Sequence, residues 1–519
     1  MRAHAAWFSV ACSVACSVAL PACGNPVASS ATPAHANADA GPDFLTLAPG
    51  EVAEVTVTTD RAAARLATPS GSEQFVAIVA STKLDSSSGS FAYSVSTDPV
   101  DVPSASQITS GCALSSDAFR TASVAVDPEP AGAAPQIGTT RSRQVSVGTK
   151  SETITAEVMA VSARAIVWKD TSTAHPATLD AAFVADFLAD FDTTILPRER
   201  SVFGMESDID GDGRIGLVFT PLTKESAVAF FLGCDLAHLD GCPSGNKGEF
   251  LYLTPPADIA PPYNTPAAIK EILAHDLGHL VHFNRKVVRN NLQVWADSSY
   301  MIEGFGGFAQ DVIGFQAGNF YVAQAGLNDI DAFSLADVLG NATKYDKKRD
   351  GPLRGGAYLF VRYIYDRAGG DNALTDGTIE GRGGSAFLRK VLDDRKSVAA
   401  AMPLMGPSTL ADLALDFYTA LAMSNGEKGG HASPVNACFS YMPTQSDPIT
   451  GKQRGADLYA SFHGQQMQGP TIQNSADGTI RGGGVEYVKL AARAGQKELD
   501  VTITTASEAS VRVRIARVR

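Results

Sequence analysis

The segment from Thr265 to Phe283 is the most constrained part of the chain. Thr265 offers a capping hydroxyl, Pro266 suits the first helical position, and Ile269, Ile272, Leu273, Leu277, Leu280 and Phe283 recur at helical spacing. The pattern predicts a helix, and on it His275 and His279 stand one turn apart on one face. Two imidazoles so placed can reach one metal ion. Glu303, which opens a second helical pattern running to Val312, supplies a third ligand, with Trp295 and Phe308 as apolar packing. Three protein ligands leave a fourth position for water, whose pKa zinc lowers toward about 7. The alternative is structural, with two core histidines and a solvated helix acid.

The residue after the first histidine bears on chemistry more than on ligation. Metallopeptidase helices commonly read His-Glu-x-x-His, with the Glu as general base. Here the motif is His275-Asp276-Leu277-Gly278-His279. Asp keeps the charge but withdraws the carboxylate by about 1 to 1.5 Å. A displacement of about 1 Å can cost on the order of 100-fold in rate, so metal binding and turnover are separate questions.

Several segments in one order resemble the hyicolysin-type metallopeptidases, which are gluzincins, over roughly residues 163 to 370. They are Ala165-Ile166-Val167-Trp168, Val202-Phe203-Gly204, Asp208-Ile209-Asp210-Gly211-Asp212-Gly213-Arg214-Ile215, the histidine motif, Ile302-Glu303-Gly304-Phe305, and Gly356 to Tyr363. The resemblance implies a zinc peptidase in which His275, His279 and Glu303 hold the metal and Asp276 is the general base. Its fold would be α/β (α+β). The chain departs from the family pattern at Asp276, at Ile302 where Asn is common, and at Gly307 where an acid often orients a ligand imidazole. Asp297 and Asp311 are the candidates to replace that acid. His282 shares the face of His279 and is either a further ligand or proton donor or an ordinary polar helix position. Tyr358 and Tyr363 are candidate oxyanion donors, with core packing the favoured alternative. His282 and Arg285 exclude the metzincin pattern.

Asp208, Asp210 and Asp212 alternate with glycines in a form that suits a hard, oxygen-liganded ion such as calcium. Phe219 stands where an EF-hand requires Glu, so either a distant acid completes the site or the segment is an Asp-Gly turn.

Arg2 and His4 precede an apolar run from Ala5 to Leu20, as in an export signal. Leu20-Pro21-Ala22-Cys23-Gly24 is similar to a bacterial lipobox with Cys23 as the lipidated residue; Cys16 or plain signal cleavage are the alternatives. The expected address is the bacterial cell envelope or the extracellular space, with the membrane touched only through an N-terminal anchor. Four later cysteines, Cys112, Cys234, Cys242 and Cys438, suit two disulfides in an oxidising compartment. A net charge of −13 disfavours nucleic acid and anionic lipid as partners.

The chain reads as a signal at 1–23, a tether at 24–42, a β-sandwich-like domain at 43–126, a linker at 127–144, a metallopeptidase domain at 145–450 and a C-terminal β-rich module at 451–519. The expectation is thus a multidomain, exported zinc metallopeptidase with Zn2+, a candidate Ca2+ and a protein or peptide substrate. Its rival is a catalytically silent zinc-binding surface lipoprotein acting as a binding or structural module.

Overall fold

A computed structural model describes residues 44–85, 89–97, 105–107, 132–147, 150–224, 227–239, 245–315, 319–340, 346–405, 408–462, 464–506 and 509–519. The signal, the tether, Cys23, Cys112 and Cys242 lie outside them. Near the N-terminus run β1 (Val52–Val55), β2 (Val57–Thr58), β3 (Arg61–Ala67), β4 (Gln74–Ser81), β5 (Ser90–Ser96) and β6 (Ala105–Gln107). A second set follows: β7 (Thr140–Val147), β8 (Lys150–Val161), β9 (Ala165–Asp170), β10 (Ile215–Phe219), β11 (Ala229–Phe231) and β12 (Phe250–Leu253). The chain closes on β13 (Asp477–Arg481), β14 (Val485–Ala491), β15 (Glu498–Thr505) and β16 (Val511–Arg517).

The fold is mixed α and β with several sheets, and its β-modules differ from expectation. Two were read, one at each end, but both ends build the same pair of sheets. One sheet has the order β14-β4-β16-β1-β6 and the other β13-β5-β15-β3-β2. Ala53 lies opposite Ile515, Ile78 opposite Tyr487, and Ile503 between Ala62 and Val95. Alternation marks a strand and its buried face but says nothing about its partner, and these partners are more than 400 residues apart. Phe75, Ala77 and Val79 of β4 fill the space between the two sheets with Val501, Ile503 and Val513. Val76, Ile78 and Ala80, on the opposite face, enter the core of the helical region. The sandwich therefore shares a buried layer with the rest of the protein. The residues from 451 to about 472 belong to the helical side, where Arg454 is buried against Asp371.

The central sheet has the order β11-β12-β10-β9-β8-β7, with β9, β10 and β12 parallel and β11 antiparallel at one edge. It begins at Thr140, inside the stretch read as a linker to 144. Both faces of β9, β10 and β12 are covered, which is why these strands read as near-continuous apolar runs. Ala165, Val167, Leu217, Phe219 and Leu251 face the helices, whereas Ile166, Trp168, Val218 and Tyr252 face Val145 and Ile154 of the β7–β8 hairpin.

The helices that matter for the site are α1 (Ala181–Asp190), α2 (Leu196–Phe203), α3 (Pro266–Phe283), α4 (Ser299–Val312), α5 (Asn319–Asn328), α6 (Asp350–Arg367), α7 (Gly384–Asp393) and α8 (Leu410–Met423). α3 starts as read, with the Thr265 side chain accepting from Ala268 N at 3.3 Å, a cap worth about 1 kcal/mol. Among the described residues no single helix is long and apolar enough to cross a membrane.

One residue of α2 is expected to make stability depend on pH. Glu199 is fully buried and neither carboxyl oxygen has a hydrogen-bond partner among the described residues. Burial, reinforced by Glu206, pushes its pKa well above the ordinary 4.5. Once the pH exceeds about 4.5, the unfolded chain releases this proton while the folded chain keeps it. Stability then falls with rising pH until the folded-state pKa is reached. Glu199→Gln removes that slope, so the melting temperature of the variant relative to wild type is expected to rise from pH 4 to pH 7. A pH-independent difference in a thermal shift series would contradict this account of Glu199.

Candidate metal centre

Helices α3 and α4 pack closely, and small residues set their approach. A Cβ on Gly278 would lie 3.0 Å from the Ala309 Cβ, and one on Gly306 would lie 2.6 Å from the His275 ring. The glycine-rich run in α4 therefore leaves space for a histidine of α3. There the donor atoms of His275, His279 and Glu303 all lie within 4.8 Å of one another, a spacing able to hold a metal ion. His275 Nε2 lies 3.3 Å from Glu303 Oε2, and the two imidazoles meet edge to face at 4.6 Å between centroids.

The His275 tautomer follows from a chain of acceptors. Glu271, one turn before His275, accepts from Gln310 Nε2 at 3.1 Å. That orients the Gln310 amide so that its Oε1, 3.1 Å from His275 Nδ1, can only accept. Nδ1 then carries a proton, which leaves Nε2, beside Glu303, as the nitrogen a metal would take. Gln310→Leu is expected to weaken metal binding by about 10- to 100-fold, read by competition with a chromogenic chelator. An unchanged affinity would remove Gln310 from the site.

The three candidate ligands differ in charge, and the Arg354 cation already stands beside Glu303. Burial opposes ionisation of Glu303, but Arg354, paired with its Oε2, and the two histidines overcome this and hold the carboxyl far below its usual range. Burial and the neighbouring His275 push His279 down to about 3, so it stays neutral. For His275 burial lowers the pKa, and Glu303 and Asp276 more than reverse that. Asp276 is 3% exposed; burial raises its pKa to about 7 against the pull of His275, with Glu303 adding to the rise.

The remaining candidates fall into place. Asp297 does not reach either ligand imidazole: it pairs with His282 Nε2 at 2.8 Å and with Lys286 at 3.3 Å. His282 is fully buried in that contact, so the structure makes it a packing residue rather than a ligand. Asp311 accepts from Arg362 at 3.1 Å, from Tyr358 at 3.2 Å and from the Gly455 N–H at 2.7 Å. Tyr363 donates to the Cys438 carbonyl at 2.8 Å. Both tyrosines are core residues. Position 307 points away from the imidazoles, since a Cβ there would meet Tyr358 and Asn319, and the orienting role falls one turn later, on Gln310. Gln310, Glu271 and Arg354 were missed by sequence reading. The seven-residue step from Glu303 to Gln310, two turns on one face, was the available signal for the first.

Asp208, Asp210 and Asp212 also converge, with donor oxygens within 4.8 Å of one another and positive φ at Gly211 (72°) and Gly213 (68°). Their carboxylates accept from the loop's own N–H groups, including Gly213 N to Asp208 at 3.1 Å. A fourth acid, unforeseen from sequence, adjoins them. Glu249, 2% exposed, accepts from Ile209 N at 3.0 Å, and burial pushes it up to about 7 with Asp210 and Asp208 adding to the rise. Cys234 and Cys438 are disulfide-bonded.

No protein-family model and no curated protein matches this chain.

Proposed function

We propose that the protein is an exported zinc metallopeptidase. The observation that carries this reading is the convergence of two neutral-capable imidazoles and one ionised carboxylate, the donor set of catalytic zinc sites of the His2Glu type. The His275 tautomer that Gln310 imposes and the low pKa of Glu303 fit a divalent cation. When bound, zinc would supply a Lewis acid that polarises a carbonyl and makes water more acidic. Asp276, buried beside His275 and raised toward neutral pH, takes the proton from the attacking water and returns it to the leaving amine. Arg354 holds Glu303 in place. The edge strand β11 packs against α3 and, among the described residues, has its ladder partner in β12 alone, so its other side would offer backbone groups to an extended peptide.

The disulfide-bonded Cys234 and Cys438 support an oxidising compartment, in keeping with an export signal and a lipid anchor at Cys23. Calcium at Asp208, Asp210 and Asp212 belongs to the same reading, with Glu249 as the acid that the loop itself lacks. Elemental analysis of the purified mature protein tests the metal assignments. One zinc per chain, lost in Glu303→Ala, and calcium lost in Asp210→Asn are the expected results. Zinc that survives Glu303→Ala would place it elsewhere.

A further inference from the structure

The face of the central sheet turned away from the helices and the metal centre holds a buried cation. Arg143 of β7 is 8% exposed, and its guanidinium carbon lies 4.2 Å from the Phe250 ring centroid and 4.8 Å from that of Trp168. Its Nε has no hydrogen-bond partner, and the guanidinium enters no ion pair among the described residues. The Trp168 Nε1, buried in the same packing, also lacks an acceptor. Other buried arginines of this protein meet acids, as Arg198 meets Asp447 and Arg454 meets Asp371. Arg141, two residues earlier on the same face of β7 and exposed, stands 5.9 Å from the Trp168 ring centroid.

Ring faces attract a cation but supply no oxygen for its N–H groups. A buried guanidinium with unmet donors costs stability unless an acceptor arrives. The neighbouring acids are committed elsewhere. Asp235 accepts from the Tyr252 hydroxyl at 2.6 Å and from Asn246 N at 2.6 Å, and Asp210 belongs to the candidate calcium loop. Both reach Arg143 only through their fields. Two cations without ion-pair partners call for an anion, and these two fields disfavour a second negative charge on it. A carboxylate carries one charge and sets two coplanar oxygens against the edge of a guanidinium. So little of Arg143 is exposed that its bearer must be small.

We infer that Arg143, with Arg141 and the Trp168 indole N–H, binds the carboxylate of a small organic acid. The site stands apart from the metal centre and does not depend on the peptidase reading. Acetate is the probe, followed by saturation-transfer NMR on the full mature protein at pH 7, with sodium chloride holding the ionic strength constant. Saturable binding with a Kd on the order of 1 mM is expected. Phosphate, with its second charge, is expected to displace acetate only at about 10-fold higher concentration. Arg143→Met keeps an apolar stem beside the two rings and is expected to abolish binding. Arg141→Gln, at an exposed position that folding tolerates, is expected to weaken acetate by about 2- to 5-fold, which keeps the site testable should the Met variant not fold. No saturable binding, acetate affinity unchanged in both variants, or phosphate that competes as well as unlabelled acetate would overturn the inference.

Discussion

Asp276→Asn is expected to lower peptide cleavage by about 100- to 10,000-fold while the protein keeps one zinc per chain. The amide preserves the shape of the side chain but cannot accept a proton, and positioned general acid–base groups contribute about 100- to 10,000-fold. Asp276 has the attributes of such a group: it is buried, adjacent to a ligand in sequence, and raised to about 7. Its shorter reach compared with Glu is also the one observation that favours the rival, a zinc-binding surface module without turnover. The two readings separate on paired variants. In a working enzyme whose backbone suits Asp, Asp276→Glu crowds a buried position and lowers the rate, though less than Asn does. In a silent module wild type and Asn are equally inactive, and Glu can only add activity. An Asn variant within about threefold of wild type would place the base elsewhere.

The second large effect concerns stability. Arg198 on α2 is 2% exposed, and its partner Asp447 is fully buried. The guanidinium donates to Asp447 at 2.8 Å, to the Gly377 carbonyl at 2.8 Å, and to the Ile313 carbonyl at the end of α4. Arg198→Leu strands a buried carboxylate and two carbonyls. The expected loss is about 3–5 kcal/mol, followed by tryptophan fluorescence in urea. Because the cost comes mainly from the uncompensated charge, the double variant Arg198→Leu, Asp447→Leu is expected to recover part of it. A single-variant loss below about 1 kcal/mol would mean that Asp447 finds another cation. Arg454 is the nearest alternative, at 3.8 Å. Through Ile313 the same pair anchors the helix that carries Glu303.

The contrast between what could and could not be read follows from range along the chain. The α3 start and the His275–His279 pair rest on periodicities within one or two turns, and Glu303 on a second such pattern, which sequence displays directly. The shared sandwich does not, because strands such as β1 and β16 show their alternation without naming each other. Within the site, charged ligands announce their chemistry, whereas Gln310 is neutral and acts only by orienting His275. Arg354 and Glu249 acquire their meaning from packing between elements distant in sequence. Gly307 misled because a position that carries an acid in the resembling family here faces Tyr358 and Asn319.

The most direct test is a zinc titration of metal-stripped protein, with cleavage of a fluorogenic casein substrate followed at each addition. The expected result is no cleavage without metal, a linear rise that breaks at one zinc per chain, and no rise in His279→Ala. Cleavage that persists without zinc, or full zinc occupancy with no cleavage, would contradict it.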